Sequence, residues 1–456
     1  MPNFKKLAKL YDHHAILALQ EFVRKNSVYD PKTIEKGAPY GKGVKSALDY
    51  VAELGHSMGA KVDLCDGHAT ELTFGEEGPI IGIYAHSDVV PISGSWKYPP
   101  FSAKIDGEGK SRRMWGRGTS DDKGPLIAAL YSCKLLQDNG LLDGYRVRLV
   151  AGGDEERGSS CLEYYFHELK KEPSVYGFTP DAEFPLIYAE KGIAHFNAVN
   201  KVDLRPIVAI DGGVVVNAVC DKVVVTWPID RKFQSHFLEK KIPGDINLAG
   251  DIMIVSFKGK SAHASTPEVG VNAMLLAFKT LGEFYKIEVL QNLANVLADP
   301  FGAGFGGQNT SKELGKATYS YGLVNYASGK LCFSVDFRFG ESANPDELIE
   351  KFKAKTGMEI EMHGKSKVLL FDKKSPLVST LMKSYKRMTH KFFDKPLAIG
   401  GGTYAKEAPN CVAYGSAFKD HPGDIHSPNE YIYIDDFLAQ IAIYADAIYS
   451  LGQVAK

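Results

Sequence analysis

Ile80-Ile81-Gly82-Ile83-Tyr84-Ala85 is a compact β-type run that ends directly at His86, and Val147-Arg148-Leu149-Val150-Ala151 is a second run that ends at Gly152-Gly153-Asp154-Glu155-Glu156. Between them, residues 125–137 read as a helix, with Leu126, Ala129, Leu130 and Cys133 at i, i+3, i+4 and i+7. Strand, helix and strand in alternation predict an α/β domain with a mainly parallel sheet and helices on both faces. In such sheets, ligands gather beyond the carboxyl ends of the strands. His86 and the 154–156 turn fall there.

Upstream, residues 10–58 mix apolar and charged residues at helical spacing. Downstream of about residue 191 the pattern changes. Residues 252–258 read as a strand, 272–285 as a helix, 318–324 and 331–338 as two strands, 345–355 as a helix and 358–362 as a strand. That β-α-β-β-α-β order predicts an inserted α+β, ferredoxin-like lid domain. Residues 201–250 and 290–315 exceed what such a unit needs. The α/β character returns from about 368, with a helix over 377–392, a strand near 410–414 and a closing helix over 435–451. The expected division is therefore a discontinuous metal-binding catalytic domain, 1–192 and 367–456, with the lid at 193–366.

At 456 residues the chain suggests about two domains. A hydrophobic content of 44% with 24% charged residues, at a formal net charge of -1, describes a globular protein with no global field favouring nucleic acid or an anionic membrane. No run approaches the ~18–20 apolar residues of a membrane helix, and the start lacks a secretory signal. The cysteines stand singly at 65, 133, 161, 220, 332 and 411, without a CxxC. Reduced thiols and a cytoplasmic location are expected.

The chemistry lies in an ordered series: His86-Ser87-Asp88, Asp121-Asp122-Lys123-Gly124, Asp154-Glu155-Glu156, Pro180-Asp181 and His426-Ser427-Pro428-Asn429-Glu430. Each has an ordinary reading. His86 and Asp88 could be a surface polar pair, Asp121 or Asp122 a helix N-cap, the acidic triplet a solvated turn, and His426 has a rival in His421. Taken together, they supply imidazoles and carboxylates where hydrophobic runs break into polar turns. This is the ligand set of a two-metal hydrolytic centre, in which a carboxylate bridges divalent ions about 3.5–4 Å apart.

The series resembles the M20 family of metallopeptidases over essentially the whole chain, and most nearly its PepV-like bacterial dipeptidase branch, which includes Xaa-His dipeptidases similar to carnosinases. The motifs that carry the resemblance are His86-Ser-Asp-Val-Val-Pro91 with Trp96 and Tyr98-Pro-Pro-Phe101, Gly116-Arg-Gly-Thr-Ser-Asp-Asp-Lys-Gly-Pro125, Gly153-Asp-Glu-Glu-Arg-Gly158, Pro180-Asp-Ala-Glu-Phe-Pro185 and Gly400-Gly-Gly-Thr-Tyr-Ala-Lys406. The resemblance implies that His86, bridging Asp121 and Asp181 hold one ion, and that Asp121, Glu156 and His426 hold the other. It makes Glu155 the general base, acting on a metal-bridging water, and Asp88 the orienter of His86. It makes His263 the lid histidine that stabilises the oxyanion, and Asn217 and Arg338 the holders of the substrate carboxylate. On their own, Asn217 reads as a turn residue, Arg338 as a surface strand residue and His263 as a satisfied polar partner.

Val219-Cys220 departs from the Val-Pro common in relatives, and Ile92-Ser-Gly-Ser95 from a more glycine-rich turn. The implied activity is hydrolysis of short peptides, chiefly unblocked dipeptides, by a monomer whose enlarged lid acts in cis. Two divalent ions per chain are implied, zinc first, with manganese or cobalt also compatible. The nearest alternative is an N-acyl amino acid or succinyl-diaminopimelate amidohydrolase with the same centre. A non-catalytic binding protein of this fold would have lost Glu155 or a ligand, and none is missing.

Overall fold

The computed structural model describes residues 2–421 and 423–456; Met1 and Pro422 lie outside the described residues. The chain forms two compact units. One comprises Met1–Tyr188, Phe371–Leu397 and Thr403–Lys456, and the other Ala189–Leu370 with Ala398–Gly402.

In the first unit, strands lie side by side in the order Lys61–Asp63, Ala69–Phe74, Arg146–Gly152, Ile80–His86, Tyr176–Thr179 and Cys411–Ala413. The last four are mutually parallel, while the first two run antiparallel and form an edge. The sheet is thus mixed around a parallel centre. Ile80–His86 is buried along its whole length, as a central parallel strand with both faces covered must be. The helix Lys123–Asp138 is buried almost all round, which explains its nearly continuous apolar sequence. It packs against Ile434–Ala455. The strand Ala69–Phe74, second from the edge, has no apolar run to announce it, because Thr70 and Glu71 interrupt it. Glu71 is buried there and accepts the Tyr165 hydroxyl at 2.5 Å, with Lys171 Nζ at 3.1 Å. Partners from distant sequence make the polar strand tolerable.

The second unit is built on an antiparallel sheet ordered Gly244–Ala249, Ile252–Lys258, Lys222–Pro228, Ala209–Gly212, Thr318–Ala327, Lys330–Phe339, Gly192–Lys201 and Glu359–Ser366. The last four strands carry the ferredoxin-like order. Its first strand is Gly192–Lys201 rather than 252–258, which joins strands from the surplus 201–250 region in an added flank. The helices Ala273–Tyr285 and Pro345–Thr356 form as expected, and Glu288–Val296 adds another. One aromatic core holds this unit, with Trp227, Phe233, Phe257, Phe278, Phe333 and Phe337 all fully buried.

Among the described residues, no helix is long and apolar enough to cross a membrane. None of the six cysteines forms a disulfide.

Candidate metal centre

Three neighbouring parallel strands deliver side chains at their carboxyl ends. His86 is the last residue of its strand and lies opposite Gly152, after which the chain turns through Asp154, Glu155 and Glu156. Asp181 follows the strand Tyr176–Thr179. Asp121 precedes the helix Lys123–Asp138, and His426 comes from the turn before the strand Tyr431–Tyr433.

These residues converge around Asp121. Its Oδ1 lies 2.9 Å from His86 Nε2, and its Oδ2 lies 2.9 Å from His426 Nε2. His426 Nε2 is also 3.1 Å from Glu156 Oε2, and His86 Nε2 is 3.9 Å from Asp181 Oδ2. Glu155 offers an oxygen to the same neighbourhood: ligand atoms of His86, Glu155 and Asp181 lie within 4.8 Å of one another, as do those of His86, Asp121 and Glu156. Atoms bound to one ion at ~2.0–2.2 Å stand roughly 3–3.5 Å apart, so the clustered donors fit divalent ions.

The electrostatics agree with that fit. Burial pushes the Glu155 and Asp181 carboxyl groups well above the usual range, and neighbouring carboxylates, Glu156 and Asp121 among them, add to the push. Glu156 is raised in the same sense, by burial and then by Asp121. The protein alone disfavours so many negative charges together; divalent cations are the groups that would offset them.

Surrounding groups fix the donors. His86 Nδ1 is 3.0 Å from the backbone carbonyl of Asp88 and 3.4 Å from its carboxylate. Donation from Nδ1 leaves Nε2 as the ligand nitrogen. The Asp88 carboxylate accepts the backbone N–H groups of Glu155 and Glu156. Asp122 does not cap its helix; its Oδ2 accepts the backbone N–H of His86 at 3.1 Å. Glu430, the last residue of the His426 motif, pairs with Arg117 at 2.7 Å, both side chains being buried. Asp154 accepts the Ser160 hydroxyl at 2.5 Å. His421, the rival of His426, bonds Asp436 at 2.5 Å. The supporting roles of Asp122 and Glu430 were not anticipated from sequence, because each depends on a backbone N–H brought near by folding.

The second unit gathers its own candidates. His263 pairs with Ala218 in an isolated bridge, and the backbone carbonyl of Asn217 accepts the N–H of Ala264 at 2.9 Å. His263 Nδ1 lies 2.7 Å from the Ser265 hydroxyl and 3.3 Å from the Ser265 N–H. Arg338 is no surface residue. It is 3% exposed, lies opposite Thr318, and donates through Nε and Nη2 to Asp336 at 2.9 and 3.0 Å and through Nη1 to the Gly400 carbonyl at 2.6 Å.

The family model for peptidase family M20/M25/M40 matches residues 82–450. YtjP of Bacillus subtilis (strain 168), provisionally named a dipeptidase, is 34% identical over 453 residues, covering 95% of this chain and 96% of its own. A provisionally named dipeptidase of Staphylococcus aureus (strain MRSA252), SAR1836, is 30% identical over 472 residues, covering 98% and 99%. Among solved structures, the M20 family metallo-carboxypeptidase Sso-CP2 of Sulfolobus solfataricus aligns with a TM-score of 0.60 at 20% identity, over 96% of this chain and 99% of that one. Human carnosine dipeptidase 1 aligns with a TM-score of 0.60 at 13% identity, over 99% of both chains. At these identities the solved structures bear on the fold.

Proposed function

The chain belongs to peptidase family M20/M25/M40, and on that footing we propose that it is a two-metal dipeptidase that hydrolyses short, unblocked peptides. The observation that carries this reading is Asp121, with one carboxylate oxygen 2.9 Å from His86 and the other 2.9 Å from His426. His86, Asp121 and Asp181 would hold one divalent ion; Asp121, Glu156 and His426 would hold the other. A bound ion pair of this kind supplies an acidified water and polarises a carbonyl oxygen.

Glu155 is the general base. Burial raises its carboxyl well above the usual range, and it lies beside His86 and Asp181, where it would take the proton of the attacking water and pass it to the leaving amine. From the second unit, His263 would donate to the oxyanion through Nε2. Arg338 and Asn217 would hold the free carboxylate of the substrate, which restricts substrates to short peptides. Full-length agreement with the two bacterial relatives supports the dipeptidase class; the PepV-like branch, an enlarged lid acting in cis in a monomer, and zinc, manganese or cobalt as the ion are proposed on the motif resemblance.

A panel of free dipeptides set against N-acylated amino acids tests the substrate class. Turnover of the free dipeptides is expected. Turnover confined to acylated amino acids would replace the dipeptidase reading with an amidohydrolase one.

A further inference from the structure

We infer that Glu430, with Arg117 behind it, is a positioning residue that sets the separation between Asp121 and His426 and thereby governs binding of one ion of the pair. The inference rests on the two-ion reading above and assigns Glu430 no contact with an ion.

His426 sits in a loop that closes on itself where the N–H of Tyr431 meets the carbonyl of Gly423 at 3.0 Å. Its backbone is tightly turned, with left-handed φ at Asp424 (52°), His426 (57°) and Asn429 (65°). Asn429 ties the loop to the 95–97 segment, its Oδ1 accepting the Lys97 N–H at 2.6 Å, and the base of the loop joins it to Asp121. Glu430 Oε1 accepts the backbone N–H of Ser120 at 2.9 Å and that of Asp121 at 3.3 Å, while Oε2 accepts Arg117 Nη1 at 2.7 Å. Two further bonds reinforce the same junction: the Gly116 N–H to the Glu430 carbonyl at 2.9 Å, and the Ser120 hydroxyl to the Tyr431 carbonyl at 2.7 Å. The strand Tyr431–Tyr433 then pairs with Arg113–Trp115.

One carboxylate therefore ties the base of the His426 loop to the backbone of Asp121, and the tip of that loop returns His426 to Asp121 Oδ2. The other histidine is held independently, through Asp88 and Asp122. Loss of Glu430 should weaken the ion on the His426 side and spare the ion on the His86–Asp181 side. Glutamine is no substitute. Both Glu430 oxygens face N–H donors, and an amide has one oxygen, so either Arg117 or the Ser120–Asp121 backbone would meet another donor.

The test is calorimetric titration of chelator-stripped protein with Zn²⁺, using wild type, Glu430→Ala, Glu430→Gln and, to identify the His426-side ion, His426→Ala. The wild type should bind two ions; fewer would overturn the two-ion reading on which the inference depends. Glu430→Ala should match His426→Ala in losing affinity for the same ion, by about 10–100-fold, with the other ion unchanged within about twofold. If Glu430→Ala does not fold, Glu430→Gln is judged by the same selective loss, expected at about threefold or more. Equal weakening of both ions, or no weakening in a folded variant, would overturn the inference.

Discussion

The carboxylate of Asp88 accepts the backbone N–H of Glu155 at 3.1 Å through one oxygen and that of Glu156 at 3.2 Å through the other. Asp88 is therefore a clamp on the acidic turn as much as a partner of His86, whose Nδ1 lies closer to the Asp88 carbonyl than to its carboxylate. Asp88→Ala should keep the histidine contact and release the turn. A fall of about 10–100-fold in kcat/KM is expected, read from dipeptide hydrolysis beside a circular dichroism spectrum that shows a folded protein. Undiminished activity would remove the clamp from the account.

Glu155 offers its carboxylate beside His86 and Asp181, while its backbone N–H is held by Asp88. Glu155→Gln retains shape and removes the base. The expected result is a kcat lower by about 10²–10⁴-fold with bound metal, measured by elemental analysis, unchanged. Loss of metal together with activity would instead make Glu155 a ligand.

Arg338 donates through Nε and Nη2 to Asp336 and through Nη1 to the Gly400 carbonyl, and the proposed function has this guanidinium hold the substrate carboxylate. Lysine cannot reproduce that fork. Arg338→Lys should raise KM for dipeptides by roughly 10–100-fold, the worth of a charge-assisted contact, with a smaller effect on kcat. A fall in kcat at unchanged KM would argue against a role in holding the substrate carboxylate.

The thiols carry a separate expectation. Burial pushes Cys65 and Cys161 up to about 12 and Cys220 up to about 11, and Cys133 and Cys411 are buried as well. Cys332 alone is partly accessible, its thiol also raised by burial. Since the thiolate is the reactive form, a chromogenic disulfide reagent at pH 8 should titrate one thiol in the native protein and six after denaturation. Fast reaction of a second native thiol would contradict the packing around the buried five.

What the sequence made legible follows from what local patterns encode. Ile80–His86 and Arg146–Gly152 were readable because a buried parallel strand is almost wholly apolar, and their ends pointed to His86 and the 154–156 turn. Ala69–Phe74 escaped because a buried Glu71 depends on Tyr165 and Lys171, far along the chain. In the second unit the elements 252–258 through 359–366 were visible, but the pairing order was not. Strand neighbours are chosen by long-range packing, which is how Gly192–Lys201 comes to lie between Lys330–Phe339 and Glu359–Ser366. The candidate ligands were found as residue types at strand ends. What holds them was hidden, since Asp122 and Glu430 work through the backbone N–H groups of His86, Ser120 and Asp121. Those groups are identical in every sequence.

The measurement that bears most directly on the central claim is hydrolysis of a small panel of free dipeptides by chelator-stripped protein, with Zn²⁺, Mn²⁺ or Co²⁺ added back singly. The account predicts no turnover after stripping and recovery with at least one metal at a stoichiometry of two ions per chain. Full activity in the stripped, metal-free protein would contradict it.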